Sequence, residues 1–298
     1  MRIKHIPVLL DRSVDLLVRD PDGLYLDCTF GRGGHTRKIL EKLSEKGRLV
    51  AFDLDDDAVK EAKMISNENF EFYKTNFSEI NQFIENDSLT GAIIDCGVSS
   101  PQLDQAERGF SFQKDGPLDM RFNKDQELTC STIIHNYSEK EISDILWKLG
   151  EEDESRRIAR FIIKRRELKK IDGTLDLANI IKEAKRKKTK KHAATKSFQA
   201  LRMAVNSELE SLSRCLESLK NKLIESGKIV VISFHSLEDR IAKQAFKNKP
   251  NLVEKKIPLF EGELKQEFKV SKVLSPTDTE ISMNPRSRSA KMRIIEKL

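Results

Sequence analysis

The chain has 298 residues, 38% hydrophobic and 34% charged, enough to bury a sizeable core under an unusually charged surface. Its 54 Lys and Arg against 48 Asp and Glu leave a net charge of +6, which favours a polyanionic partner without requiring one. No apolar run approaches the roughly 18 residues of a membrane span, Asp11 and Arg12 interrupt the first apolar patch before an export signal is complete, and the four cysteines show no paired spacing. The expectation is a cytoplasmic chain with buried thiols and neither metal nor membrane as a partner.

In chain order, LYLDCTF predicts a buried strand, GRGGHTRKILEKL a helix, RLVAFDLD a second strand, DDAVKEAKMI a helix, FEFYKT a third strand and TGAIIDCG a fourth. Short apolar runs, each followed by a polar turn and a helical pattern, mark βαβ units, so the fold class expected is α/β with a Rossmann-like parallel sheet. Past residue 103 the pattern gives way to three helical segments, EKEISDILWKLG, DESRRIARFIIKRREL and LDLANIIKEAKRKK. Basic runs at 156–170 and 182–192 both fall there, a reasonable place to hold a polyanion. Apolar residues from Val205 to Leu223, at alternating spacings of four and three, predict one long helix over 197–225 stopped by Gly227. GKIVVISFHSL then reads as a fifth strand, with LVEKK and AKMRIIEK as further strands at the sheet's edge. Residues 1–103 and 197–298 are therefore expected to form one discontinuous domain, with 104–196 as a helical, basic insertion for RNA recognition.

The chemistry is concentrated in loops at strand ends. Asp-Cys-Thr-Phe-Gly-Arg-Gly-Gly-His, from Asp27 to His35, joins the first strand to a helix, and its glycines let backbone approach a ligand closely. Asp53 ends the second strand, 22 residues after Gly31, where a carboxylate accepts hydrogen bonds from ribose hydroxyls. The pair indicates a nucleoside cofactor. Gly31, Gly33 and Gly34 do not keep the spacing of dinucleotide-binding loops and suit S-adenosylmethionine, which has no pyrophosphate to cradle. Phe77, after the third strand, is a candidate wall for an adenine, although a lone ring there is more often core. Asp95 projects from the carboxyl edge of the fourth strand, where ligands of open α/β sheets sit. Ser99-Ser100-Pro101 follows, partly like the proline turn of amino-methylating enzymes. The segment 107–121, with Phe110, Phe112 and Asp119, has the mix of groups that suits a loop holding a base. No HExxH, GxSxG or phosphate-binding loop appears, which counts against metalloproteases, α/β-hydrolases and nucleotide triphosphatases.

Taken together, HxPVLL from His5, DxTFGRGGH, GVSSPQLDxAERGFSF, DGPLDMR, SFQAxRxxVNSELE, ISFHSLEDR and NPRSRS resemble, in order and to the C-terminus, the MraW family of small-subunit ribosomal RNA methyltransferases. The resemblance implies transfer of a methyl group from S-adenosylmethionine to N4 of a decoding-region cytosine of 16S rRNA in the small (30S) ribosomal subunit. It also implies that Gly33, Gly34, His35, Asp53, Phe77, Asp95 and Gln102 contact the cofactor. One departure lies in the insertion, where His192-Ala193-Ala194-Thr195-Lys196 stands for the family's common HPATR; losing a proline and exchanging Arg for Lys alters loop stiffness and phosphate geometry. Cytosine N4 is a poor nucleophile, so an acceptor for its hydrogens is needed, and Asp95, Ser99 and Asp119 are the candidates. The base must leave its stack, with Phe110 or Phe112 as support. Two rivals stand against this reading: a non-catalytic rRNA-binding assembly factor, and a nicotinamide-dependent oxidoreductase, which the glycine spacing disfavours. The sequence leaves the oligomeric state open.

Overall fold

The computed structural model describes residues 7–187, 192–247 and 266–298. The predicted strand LVEKK and part of the second basic run lie outside these residues. The chain divides into two compact units, Met1–Gly97 with Leu209–Leu298, and Val98–Glu208.

The first unit opens with α1 (Leu10–Leu17), then alternates β1 (Leu24–Asp27), α2 (Gly34–Leu40), β2 (Arg48–Asp53), α3 (Asp56–Ala62), β3 (Phe70–Lys74) and β4 (Leu89–Asp95). The second unit follows with α4 (Ser100–Asp104), α5 (Cys130–Asn136), α6 (Glu139–Gly150), α7 (Ser155–Leu168), α8 (Thr174–Ala184) and α9 (Thr195–Asn206). The chain then returns through α10 (Glu208–Lys222), β5 (Leu223–Ser233), α11 (Ser236–Ala245), β6 (Phe268–Val270), α12 (Asp278–Met283) and β7 (Lys291–Lys297).

The seven strands form one sheet in the order β3-β2-β1-β4-β5-β7-β6, with β1 to β5 parallel and β7 antiparallel to both its neighbours. The strands are apolar on both sides because both faces are covered. Alternate residues serve opposite faces. Leu26, Phe52, Ile94 and Val231 pack with Leu212, Leu216 and Leu219 of α10. On the same strands, Tyr25, Leu49, Ile93 and Val230, each an odd number of positions away, pack with Val14 and Leu17 of α1 and Ile39 of α2. The order reverses direction between β1 and β4, the place where open sheets of this kind leave a crevice at the carboxyl ends. Each of β1, β2 and β4 ends on an aspartate: Asp27, Asp53 and Asp95.

The second unit has its own core, including Ile133, Leu146, Ile158, Ile162, Ile181 and Leu201. Thr129 and Ser138 start α5 and α6 with capping boxes, each hydroxyl accepting from a backbone N–H one turn on. Lys185, just past α8, buries its ammonium 2.7 Å from Glu152, with 6% and 3% of the two side chains exposed.

Several expectations need correction. The helix predicted over 197–225 is two helices, because Ser207 takes a left-handed conformation (φ 49°). Asn206 is diverted to the loop before it: its Oδ1 accepts from Phe122 N at 2.7 Å and its Nδ2 donates to Met120 O at 2.7 Å. The heptad-like spacing ran across this break because both halves bury apolar faces, α9 in the second unit and α10 on the sheet. The units accordingly meet at 97/98 and 208/209, where the sequence reading had drawn 103/104 and 196/197. Gly227 does not end α10; it lies inside β5. AKMRIIEK does form a strand, β7, but it sits between β5 and β6 and the short β6 holds the edge.

Candidate active site at the carboxyl edge of the sheet

Within the first unit the loop after β1 is built to keep backbone exposed to a ligand. Gly31 and Gly33 take φ of +56° and +69°, a region that L side chains enter at a cost. Gly33 then caps α2, which Gly34 and His35 begin. A Cβ on Gly34 would lie 2.1 Å from the Pro7 ring, so only glycine lets the chain pass there.

Asp53 ties this loop to β2. Its Oδ2 accepts from Gly31 N at 2.7 Å and its Oδ1 from Asp55 N at 2.9 Å. Burial pushes its carboxyl above the usual carboxylate range, against the pull of these backbone bonds. Each oxygen keeps acceptor capacity beyond these bonds.

Asp27 anchors the other side. It is 1% exposed; its Oδ1 accepts from Thr29 N at 3.1 Å and its Oδ2 from the Thr36 hydroxyl at 2.7 Å. Burial lifts its carboxyl to about 6. The Thr29 hydroxyl oxygen in turn accepts from Asp95 N at 2.7 Å, so Asp27, the glycine loop and the end of β4 form one connected network.

Asp95 has its Oδ2 3.9 Å from His35 Nδ1, on a ring that is 5% exposed. Its Oδ1 is buried and has no hydrogen-bond partner among the described residues. Burial, and then the charges of Asp27 and Glu238, push its carboxyl well above the usual range. A buried carboxylate oxygen without a donor is costly, and an incoming N–H would satisfy it. Glu238, 2% exposed, accepts from Phe234 N at 2.8 Å through Oε2. His235 caps α11, its Nδ1 accepting from Glu238 N at 3.5 Å, while its Nε2 lies 2.8 Å from Glu238 Oε1 without forming a hydrogen bond.

The other expected residues are placed differently. Phe77 is partly buried against the sheet's core cluster, the ordinary use of such a ring. Ser99 and Gln102 belong to the second unit and bond each other: Gln102 Oε1 accepts from Ser99 N at 2.8 Å, and the Ser99 hydroxyl accepts from Gln102 N at 3.4 Å, starting α4. Asp119, also in that unit, accepts from Arg121 Nε at 2.9 Å and Arg121 Nη2 at 2.8 Å. Burial works against its charge, but Arg121 outweighs it and holds the carboxyl below the usual range. Both its oxygens are engaged in fixing the loop. Of the two rings expected to support a base, Phe110 lies in the core of the second unit and Phe112 is partly buried against it. Phe110 stacks on Phe122 at 5.4 Å, and Phe112 stacks on His192 at 4.5 Å.

Sequence reading passed over Asp27 and Glu238. Both stood inside quoted motifs, but nothing in a linear string shows that two carboxylates far apart in the chain bear on a third. The signal available for Asp27 was that three of the five parallel strands end on the same residue type.

A model of the MraW methylase family matches residues 2–298. The chain belongs to the MraW methylase family. A Clostridium botulinum (strain 657 / Type Ba4) protein named ribosomal RNA small subunit methyltransferase H is 43% identical, covering all of both chains. A Legionella pneumophila (strain Paris) protein of the same name is 46% identical, covering 99% of each. A solved rRNA methylase from Streptococcus thermophilus is 11% identical with a TM-score of 0.42, over 97% of this chain and 93% of that one, a likeness too loose to carry weight.

The methylase uses S-adenosylmethionine as its cofactor, and the residues at the sheet edge fit it. The positive-φ glycines bare backbone N–H groups, Asp53 has acceptor capacity left for hydroxyls, and Asp95 Oδ1 awaits a donor. When bound, the cofactor supplies an electrophilic methyl group on a sulfonium.

Proposed function

We propose that the chain methylates N4 of a decoding-region cytosine of 16S rRNA in the small (30S) ribosomal subunit. The observation that carries the substrate is the match, over essentially the full length of both chains, to relatives named ribosomal RNA small subunit methyltransferase H. The choice of an exocyclic amine comes from the family resemblance, and Asp95 supports it. An amine whose lone pair is delocalised into a ring needs its N–H groups held by an acceptor so that the lone pair turns toward the methyl group. Asp95 Oδ1 offers such an acceptor at the strand edge, and the approach of an N–H donor offsets the cost of its burial.

Gly33, Gly34, His35, Asp53, Phe77 and Gln102 are our candidates for holding the cofactor, with Asp95 shared between cofactor and amine. Ser99 and Asp119 remain secondary candidates for the acceptor, since each is already bonded to a neighbour. The target base has to leave its stack before N4 can reach a methyl donor. No described helix is long and apolar enough to cross a membrane, and we place the enzyme in the cytoplasm with the ribosome.

The test incubates purified protein with labelled S-adenosylmethionine and small subunits lacking the modification, followed by mass spectrometry of the digested nucleosides. N4-methylcytidine in 16S rRNA is expected. Label in another nucleoside would overturn the amine assignment, and no label despite cofactor binding would overturn the substrate. Asp95→Asn is expected to slow transfer by at least tenfold, and an unchanged rate removes Asp95 from the chemistry.

A further inference from the structure

The positive charge that the sequence concentrates in residues 156–170 separates into two groups once the helices assemble. One group turns inward and holds α7 in place. Arg157 Nε donates to the Ala184 carbonyl at the end of α8, and its guanidinium lies 5.0 Å from the Phe161 ring centre. Arg166 Nη1 donates to the carbonyls of Ile134 and Tyr137 at 2.7 and 2.8 Å. Arg165 pairs with Glu183 at 2.9 Å. These cations are spent within the unit.

The other group faces water. Arg156, Arg160 and Lys164 are exposed and follow one another at four-residue steps along α7, which places them on one side of the helix about 6 Å apart per step. Arg156 and Lys164 make no ion pair among the described residues, and Arg160 has only a 3.7 Å contact with the half-buried Glu139. Acidic residues flank the row at its ends, Asp153 before it and Glu167 after it.

At the start of this row stands an aromatic ring in water. α6 and α7 run antiparallel, since Ser143 Oγ lies 3.4 Å from Ser155 Oγ while Glu139 reaches Arg160. Trp147, one turn beyond Ser143, therefore comes to the end of the hairpin where Arg156 begins the row. It is the chain's single tryptophan and is 56% exposed. A solvent-facing indole at the head of aligned cations, two of the three without an ion pair among the described residues, is the combination that holds single-stranded nucleic acid: a stacking face for a base and a charged track for the backbone.

We propose that Trp147 and the row Arg156, Arg160 and Lys164 bind a single-stranded stretch of the substrate RNA, with the indole on an unpaired base and the cations on successive phosphates. This rests on the RNA-methylating reading above and adds to it where on the second unit the RNA is held. The charge complementarity is to a polyanion with a base to stack, which an acidic protein surface does not offer.

The test uses the full chain and two probes, a single-stranded uridine-rich RNA oligonucleotide and small ribosomal subunits lacking the modification. Because Trp147 is the sole indole, its fluorescence reports the contact directly. The oligonucleotide is expected to quench it. Trp147→Ala should weaken oligonucleotide affinity about 5- to 150-fold. Arg156→Gln with Lys164→Gln should flatten the salt dependence by about 1.4 in logarithmic slope, at about 0.7 per lost contact. In each variant S-adenosylmethionine affinity, by calorimetry, should stay within twofold, which separates lost RNA contact from lost fold. Oligonucleotide binding without quenching, quenching by an acidic peptide but not by RNA, or wild-type affinity in both variants overturns the proposal. If the wild type fails to methylate the subunits yet the oligonucleotide quenches Trp147, the reaction assignment falls and the RNA surface stands. If the variants methylate subunits with an unchanged KM, the reverse holds.

Discussion

Gly31 and Gly33 share a backbone conformation but not surroundings, and exchanging each for alanine separates the two costs. Gly31→Ala at φ +56° meets nothing nearer than 3.9 Å, so its cost is conformational, about 1–2 kcal/mol for a left-handed residue. Gly33→Ala at φ +69° carries the same cost and also places its Cβ 2.7 Å from Phe30 Cζ and 3.0 Å from Arg37 Nη1. Phe30 cannot easily yield: it is 3% exposed and packed 5.1 Å from Phe72 and 6.0 Å from Phe70. Forcing such a ring aside costs about 1–3 kcal/mol more. Urea unfolding should therefore show Gly33→Ala less stable than Gly31→Ala by about 1–3 kcal/mol. Calorimetry should show the larger loss of S-adenosylmethionine affinity in Gly33→Ala. Equal destabilisation of the two variants would refute the reasoning, because it would mean that Phe30 does not back the loop.

Two further outcomes follow from buried charge. Asp27 stands at about 6 when folded against an ordinary 3.8, so the folded state holds its proton more tightly than the unfolded one. Stability is therefore highest below about pH 4 for this group and falls as pH rises toward 6, by about 3 kcal/mol in total. Asp27→Asn should remove that part of the pH dependence, and parallel urea midpoints for wild type and variant between pH 4.5 and about 7 would contradict the burial assigned to Asp27. In the second unit, Glu152→Gln should cost about 3–5 kcal/mol by stranding the buried Lys185 ammonium, with Glu152→Gln/Lys185→Met recovering more than half. Thermal unfolding of the two variants decides it, and equal stabilities would mean the pair is not coupled.

The α/β class, the parallel strands, the glycine loop and the aspartates at strand ends were legible because each is a local pattern. An apolar run of four to six residues closed by a polar turn has few ways to be buried other than as a covered parallel strand. The helices of the inserted unit were legible through their spacing for the same reason. The break at Ser207 was not legible, since the apolar period crosses it unchanged and only the bonds from Asn206 to Phe122 and Met120 reveal it.

What the sequence by itself determined is which residue types stand at the strand ends, and hence where a nucleoside-binding edge is to be expected. What only the tertiary structure decided is how each group is used. Asp119 looked as available as Asp95, yet Arg121 engages it on both oxygens while Asp95 keeps an oxygen without a donor among the described residues. Phe110 and Phe112 looked alike as supports for a base, yet Phe110 is core and Phe112 is partly buried against it. The basic run at 156–170 looked uniform and is divided between cations that brace the helices and cations that face water. The physical reason is common to all three. Burial and pairing depend on residues brought together from distant parts of the chain, and these set a group's charge and reach more strongly than its own neighbours in sequence do.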